Sequence, residues 1–266
     1  MNKRIFFFTL VFAIINVSAV ELWIQPDKFI YKRTEPITIK FLKGLLFIGQ
    51  DSSLSREKIS CMELYYEDVV DKNLATSISD EDSTSLQLAM IDEGTVMMTL
   101  DTKDKFFSHE AAAFNRYLKA NGFDEALEDR IQNGDTMKDA REKLEYCAKT
   151  IFQVGETYTD AYGKRTDLPI DIVPLYNPYK LSDVESHKVV IFFMGQRLKN
   201  TTIRVLHKTG EEIHEIDYVT DEKGEADFVV TPDGEWMVSC AKMIKLRDNP
   251  DADWQIFEGT LTWGYF

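Results

Sequence analysis

The sequence predicts a mainly β protein, made of two antiparallel β-sandwich domains with a helical insert between them. The stretch Ile37–Phe41 alternates apolar and polar residues, which is the period of a half-buried strand. A similar alternation returns after residue 186 and continues to Trp263 and Tyr265 near the end of the chain. Between these regions the apolar residues recur every three or four positions, which indicates helices.

These changes of period divide the chain into five segments. Residues 1–19 are expected to be a signal peptide, and residues 20–104 form an N-terminal β domain. Residues 105–152 form the helical insert, and residues 153–185 are a connector. Residues 186–266 form the C-terminal β-sandwich domain.

The N-terminal β domain contains several predicted strands. Met62–Tyr66 and Leu86–Met90 alternate more loosely than Ile37–Phe41. A turn ending at Gly94 leads into a return strand over Thr95–Leu100. Three residues of that strand are expected to share one face: Val96, Met98 and Leu100.

Three helices are predicted in the insert. The first begins after the N-cap residue Ser108 and stops at Gly122. The second covers Asp124–Gln132 and the third covers Thr136–Thr150. Four residues lie three or four positions apart along this third helix and form an apolar stripe: Ala140, Leu144, Cys147 and Ile151. That spacing favours packing rather than chemistry for Cys147.

The rest of the chain is predicted to form extended segments and hairpins. Leu168–Pro174 is extended, because each proline pushes the residue before it toward the β region. Val189–Phe193 is a continuous apolar run, as expected for a central strand. Asp221–Gly224 and Thr231–Gly234 are turns between strands.

The charge of the chain excludes two classes of partner. Its 266 residues include 45 acidic and 31 basic ones, for a formal net charge of −14. Nucleic-acid binding requires a basic surface that neutralises phosphates, and docking on anionic lipid requires one as well. The composition therefore argues against both partners. A hydrophobic fraction of 44% is enough for a packed core.

The N-terminus predicts export. Lys3 and Arg4 precede an apolar run over Ile5–Ile15, and small residues lead up to Ala19. This run has 11 residues, whereas a membrane-spanning helix needs about 20. We therefore expect cleavage after Ala19 rather than a membrane anchor, and a periplasmic location. No later segment is apolar enough to span, so the mature protein is expected to be soluble with a charge of −16.

Three cysteines limit the redox chemistry. Cys61, Cys147 and Cys240 are an odd number, so at most one disulfide can form within the chain. Disulfide-stapled scaffolds are shorter and richer in cysteine, and no two of these residues have the C-x-x-C spacing of a metal site. Buried thiols are the expected state.

Two histidines are candidates for a metal site. If Val205 pairs with Ile216, the apolar faces of the two strands match and His207 lies opposite His214. Opposed residues have Cβ atoms ~4.5–5.5 Å apart, so both imidazoles can bind one metal ion, and Glu212 can add an oxygen. The alternative is that both histidines are simply solvated at the end of a hairpin.

No enzymatic motif is present. The sequence His109-Glu110 begins like the helix of a zinc protease, but Ala113 occupies the position of the second histidine. The sequence contains neither a G-x-S-x-G nucleophile elbow nor a glycine-rich phosphate loop. A non-enzymatic protein is therefore expected.

Four stretches together resemble one bacterial family. They are Glu21–Pro26, Leu168–Leu175, Gly234–Val238 and Gly259–Trp263, in this order. The family is an exported domain of unknown function that was formerly described as the substrate-specific component of a nickel-uptake system. Each stretch is weakly specific alone, and their order makes the set more specific.

The resemblance implies a two-domain, mostly β protein whose second domain is similar to immunoglobulin-like or transthyretin-like modules. It implies an accessory or binding protein for uptake of Ni²⁺ or Co²⁺, with an envelope membrane receptor or transporter as its partner. Many members carry a histidine where this chain has Val20, and another where it has Lys242. An ammonium group is not a metal ligand, so a structural or protein-interaction module without metal is the alternative.

Overall fold

A computed structural model describes residues 20–89 and 92–266, apart from the side chains of Lys72 and Ala89. The predicted signal peptide lies outside the described residues, as do Met90 and Ile91. Within the described ranges, no helix is both long and apolar enough to cross a membrane.

The described residues form eighteen strands and two α-helices. The strands are β1 (Glu21–Pro26), β2 (Ile30–Tyr31), β3 (Pro36–Leu45), β4 (Ile48–Asp51), β5 (Ile59–Tyr66), β6 (Val69–Lys72), β7 (Ser85–Ala89), β8 (Gly94–Thr102), β9 (Lys105–His109), β10 (Ala140–Val154), β11 (Ile170–Pro174), β12 (Glu185–Phe193), β13 (Gln196–Arg197), β14 (Thr202–Thr209), β15 (Glu212–Val219), β16 (Glu225–Val230), β17 (Glu235–Lys245) and β18 (Trp254–Gly264). The helices are α1 (Ala111–Ala120) and α2 (Asp124–Gln132).

These strands form three sheets. The first sheet has the order β1-β3-β4, and β7 also pairs with β3. The central sheet has the order β15-β14-β17-β18-β10-β8-β5-β6, and the short strands β2 and β9 also pair with β10. The third sheet has the order β11-β12-β13, and β16 also pairs with β12.

The central sheet carries a hydrophobic core on each face. On β10, Tyr146 and Ala148 belong to the first core, which includes residues of the first sheet. Cys147 and Ile151 belong to the second core, which includes residues of the third sheet. Neighbouring residues of a strand point to opposite faces, so the two cores lie on opposite sides of the central sheet. The molecule is mainly β, with two sandwiches that share their middle layer.

Most predicted strands are confirmed. β3 contains Ile37–Phe41, β5 contains Met62–Tyr66, and β12 contains Val189–Phe193. Three residues of β8 were expected to share a face and all belong to the first core: Val96, Met98 and Leu100. Alternation identifies β3 because this strand buries one face only: Ile37, Ile39 and Phe41 are buried, whereas Lys40 is exposed.

The helix predictions have mixed outcomes. The second helix has the predicted bounds Asp124–Gln132. The first helix begins at Ala111, because Ser108 and His109 belong to β9, which pairs with β10. His109 is therefore a strand residue, stacked between the rings of Phe107 and Phe114.

The third predicted helix, Thr136–Thr150, is wrong. The segment is occupied by β10, which runs over 15 residues through the middle of the central sheet. Both faces of this strand are buried, so apolar residues occupy odd and even positions and imitate a helical stripe. Pairing with β18 over Glu142–Thr150 supplies the backbone hydrogen bonds that a helix would otherwise make.

The predicted connector also contributes a strand. β11 lies within it and pairs with β12 in the third sheet. The predicted all-antiparallel arrangement has an exception, since β10 and β18 pair in parallel. β10 also pairs with β8, so strands of the N-terminal and C-terminal regions lie in one sheet. The predicted domain boundaries stay a prediction.

Candidate functional site

The register predicted for the histidine hairpin is confirmed. Val205 pairs with Ile216, and His207 lies directly opposite His214. Glu212 lies at the start of β15, where it pairs with Thr209 across a two-residue turn. The backbone therefore brings the three predicted metal ligands to one end of a tight hairpin.

The side chains of this hairpin do not gather around a common point. The His207 ring stacks on Trp236 of the other neighbouring strand, with ring centroids 4.0 Å apart. Its Nε2 lies 3.1 Å from the Asp233 carbonyl oxygen. His214 and Glu212 are exposed. In the described part of the chain, these three residues do not form a group of ligand atoms within 4.8 Å of one another. The His207 ring therefore packs on Trp236 of β17, and metal binding by this hairpin stays a prediction.

His187 is the most deeply buried histidine in the described residues. It lies on β12 with 0% of its surface exposed. The rings of Trp263 and Phe228 are 5.6 and 6.0 Å away, and neither imidazole nitrogen has a hydrogen-bond partner. Burial lowers the pKa of His187 to about 4, because a charged ring has no solvation there.

We expect this histidine to make the fold acid-sensitive. Between pH 6.5 and pH 4 the unfolded chain takes up a proton on His187 that the folded protein does not. Stability should therefore fall by about 3 kcal/mol as the pH drops through this range. Urea unfolding of the wild type and of His187→Phe at several pH values measures the effect. Carboxylates titrate in both proteins, so only the difference between the two profiles reports on His187. If the free energy of unfolding falls equally with pH in both, the expectation is contradicted.

A different cluster holds metal-ligating atoms close together. Asp101 lies on β8, and Glu145 and Cys147 lie two residues apart on the neighbouring strand β10. One carboxylate oxygen of each acid and the Cys147 sulfur all lie within 4.8 Å of one another. We call these three residues the acid–thiol cluster. It is the one such group of three among the described residues.

Burial sets the electrostatics of the acid–thiol cluster. It raises the pKa of Asp101 to about 6. The pKa of Glu145 rises to about 8, first through burial and then through the charge of Asp101. Burial also raises the pKa of the Cys147 thiol well above its usual range. In the absence of a cation, the cluster therefore retains protons at neutral pH, and a metal ion would replace them.

The two acids of the cluster differ in their hydrogen bonding. Gln255 Nε2 donates hydrogen bonds to Glu145 Oε2 and to Asp104 Oδ1, both at 3.1 Å. Asp101 Oδ1 is buried and has no hydrogen-bond partner. One thiolate with two carboxylates is a donor set that suits a borderline transition metal.

Sequence reasoning missed this cluster for a clear reason. Glu145 and Cys147 were assigned to a helix, where residues two apart point in different directions. On a strand the same spacing puts both side chains on one face. The pattern Glu145-x-Cys147 with Asp101 on an adjacent strand was therefore visible only after β10 was known to be a strand. Cys147 and Cys240 are buried free thiols, and Cys61 is exposed and forms no disulfide.

A buried ion pair lies near the cluster in the second core. Lys149 of β10 and Asp171 of β11 are each 1% exposed, and the Lys149 ammonium donates a hydrogen bond to Asp171 Oδ1. Asp171 Oδ2 also accepts hydrogen bonds from Arg165 Nε at 3.1 Å and from the Thr166 backbone N–H at 2.9 Å. These contacts satisfy the carboxylate, so the pair ties the third sheet to the central one.

A second acidic feature lies on the opposite face of the central sheet. Glu258 of β18 is 5% exposed, and neither of its carboxyl oxygens has a hydrogen-bond partner. It lines a groove of about 890 Å³ between the loop that joins α1 to α2, the strand β17 and the start of β1. We call this cavity the Glu258 groove. Burial raises the pKa of Glu258 to about 8, and the nearby charge of Glu21 adds to the effect.

Comparisons with solved structures give weak similarities. A Salmonella alpha-2-macroglobulin is 10% identical and matches 92% of this chain and 15% of its own, with a TM-score of 0.21. An Escherichia coli alpha-2-macroglobulin activated by porcine elastase is 8% identical over 92% of this chain and 20% of its own, with a TM-score of 0.20. The FN1–FN3 domains of chicken CNTN1 are 9% identical over 90% of this chain and 66% of their own, with a TM-score of 0.18. The fold assignment therefore rests on the sheets described above.

Family membership comes from the sequence. No curated protein matches the chain. A family model does match, over residues 17–243. This range includes the acid–thiol cluster and three of the four stretches on which the resemblance was based. The chain belongs to the family DUF4198, a domain of unknown function.

Proposed function

We propose that the protein is a non-enzymatic, metal-binding accessory protein of an uptake system in the periplasm. One observation carries the metal assignment, namely that the donor atoms of Asp101, Glu145 and Cys147 lie within 4.8 Å of one another. Ni²⁺ and Co²⁺ accept a mixed set of sulfur and oxygen ligands. These are also the metals that the resemblance of the four sequence stretches implies.

Export and the uptake role rest on the sequence. The basic residues, apolar run and small residues before Ala19 support delivery to the periplasm. An acidic surface, with a formal charge of −14 for the whole chain, attracts cations over a distance of about one Debye length. An envelope receptor or transporter would be the partner that receives the metal.

Calorimetry with Ni²⁺ and Co²⁺ tests the proposal. We expect one saturable binding event in the wild type, with proton release because the Cys147 thiol must ionise to bind. Thiolate coordination should also add a charge-transfer band in the near ultraviolet. Cys147→Ser and Glu145→Gln should each weaken binding at least tenfold, which is a loss of about 1.4 kcal/mol or more.

Cys240→Ser is the matched control. Cys240 is also buried in the second core, and burial raises the pKa of its thiol to about 12, but it is not part of the cluster. This variant should keep the affinity and the absorption band. A wild type that gives no heat with either metal, or a Cys147→Ser variant that binds as tightly as the wild type, would refute the metal assignment.

A protein-interaction module is the second candidate function. β15 lies at one end of the central sheet, and its residues Ile216 and Val219 are 55% and 63% exposed. An edge strand with exposed apolar residues can pair with a strand of another protein. Cross-linking to one envelope protein that Val219→Lys abolishes, together with no metal binding, would favour this function over the first.

A further inference from the structure

The Glu258 groove is formed by four parts of the fold. Its floor is the first-core face of the central sheet, where Ser239 and Ala241 of β17 lie beside Glu258 and Thr260 of β18. Glu21, at the start of β1, lies on one side. The loop that joins the two helices and residues 198–201, which lead into β14, also line it. The groove is therefore built from strands of the sheet and from two loops.

Glu258 is a buried acid with no compensating contact. Both of its carboxyl oxygens are buried and have no hydrogen-bond partner, although its side chain lines an open groove. Glu21 lies close enough for its charge to raise the pKa of Glu258. A buried carboxyl group without a hydrogen bond is costly, so a donor that enters the groove would stabilise it.

Four other charged residues of the groove form ion pairs: Arg204, Asp217, Lys242 and Glu125. Arg204 Nε lies 2.6 Å from Glu215 Oε1 and 3.3 Å from Asp217 Oδ1. Lys242 Nζ lies 3.0 Å from Glu125 Oε2. The ammonium of Lys43 lies over the Tyr146 ring, 4.3 Å from its centroid, rather than on a carboxylate. Among the described acids that line the groove, Glu258 is the one whose carboxyl oxygens are both buried without a hydrogen-bond partner, and Glu21 lies close to it.

The size and chemistry of the groove favour an organic cation over a metal ion. At about 890 Å³ the groove is the size of a small-molecule site. No three metal-ligating atoms of the described residues lie within 4.8 Å of one another here. Part of the lining is apolar, including Phe123 and Met243, which suits the methylene groups of an alkyl chain.

We propose that the Glu258 groove binds an alkylammonium compound, with the ammonium group donating hydrogen bonds to Glu258 and Glu21. A primary ammonium has three N–H donors and two carboxylates are acceptors, so the pairing satisfies the buried oxygens. This site lies on the opposite face of the central sheet from the acid–thiol cluster, and it is independent of the proposed metal binding.

Calorimetry with 1,4-diaminobutane and spermidine at 150 mM NaCl tests this site. We expect saturable binding of at least one amine to the purified protein, and no heat from 1,4-butanediol, which has the same chain without charge. Glu258→Gln should raise the dissociation constant at least tenfold. The salt screens attraction to the acidic surface beyond about 8 Å.

Two control variants separate the possible outcomes. Glu156→Gln removes an exposed acid that does not line the groove, and Glu145→Gln disrupts the acid–thiol cluster; both should bind the amine as the wild type does. Equal weakening by Glu258→Gln and Glu156→Gln would assign binding to surface charge and overturn the proposal. Absence of saturable binding by both amines would also overturn it, whatever the outcome with Ni²⁺ and Co²⁺.

Discussion

Glu258→Gln should make the protein about 4 kcal/mol more stable than the wild type at pH 8. Burial raises the pKa of Glu258 to about 8, whereas its ordinary value is 4.5. Between these values the unfolded chain loses a proton that the folded protein keeps. Stability of the wild type therefore falls as the pH rises from 4.5 to 8, and an uncharged glutamine removes this loss.

Urea unfolding at pH 5 and pH 8 checks this expectation. The two proteins should differ little at pH 5 and most at pH 8. Glu21, Lys43 and Glu142 are the charged groups that act on Glu258, and they are the same in both proteins. Glu222→Gln, an exposed substitution, should follow the wild type at every pH. Parallel pH profiles for Glu258→Gln and the wild type would show that Glu258 does not carry the effect.

Asp171→Asn should lower the free energy of unfolding by about 3–5 kcal/mol. The substitution leaves Lys149 1% exposed without a charged partner, with a neutral amide in place of the carboxylate, so that either a buried charge or loss of its proton must be accommodated. Chemical denaturation at pH 7 measures the loss. It should exceed the effect of breaking the exposed Lys199–Glu222 pair with Glu222→Gln, which is about 0–1 kcal/mol.

A double variant identifies the cause of this loss. Asp171→Asn combined with Lys149→Met removes both charges, and a hydrophobic side chain fits a position that is otherwise apolar. The double variant should therefore be more stable than Asp171→Asn alone. If it is less stable, the loss comes from the hydrogen bonds that Thr166 and Arg165 make to Asp171, and not from an unpaired Lys149.

Strands with strict alternation were predictable from the sequence alone. The registers of β14 and β15 followed from matching apolar faces, so that His207 was placed opposite His214 correctly. The alternation did not predict that β17 is the other neighbour of β14 in the sheet. Trp236 of β17 stacks on His207 and determines where its imidazole lies, and this contact joins residues 29 positions apart in the chain.

The candidate sites were harder to predict, because they depend on contacts that no local pattern contains. Cys147 was taken as a packing residue on a helix, and its position on β10 is determined by pairing with β18 more than a hundred residues later. Glu258 lies among threonines and apolar residues that read as an ordinary strand. Its importance comes from burial against β1 and from the absence of a hydrogen-bond partner, which are tertiary properties.

The position of β18 has a consequence for how the chain folds. This strand follows all the other described strands along the chain, and it lies between β10 and β17 in the middle of the central sheet. The two sandwiches cannot be joined until residues 254–264 have left the ribosome. Closing contacts between such distant segments is slow, because the entropy of a long loop is lost first. Joining the two sandwiches is therefore expected to be a late step of folding, because it waits for β18 to pair with both of its neighbours.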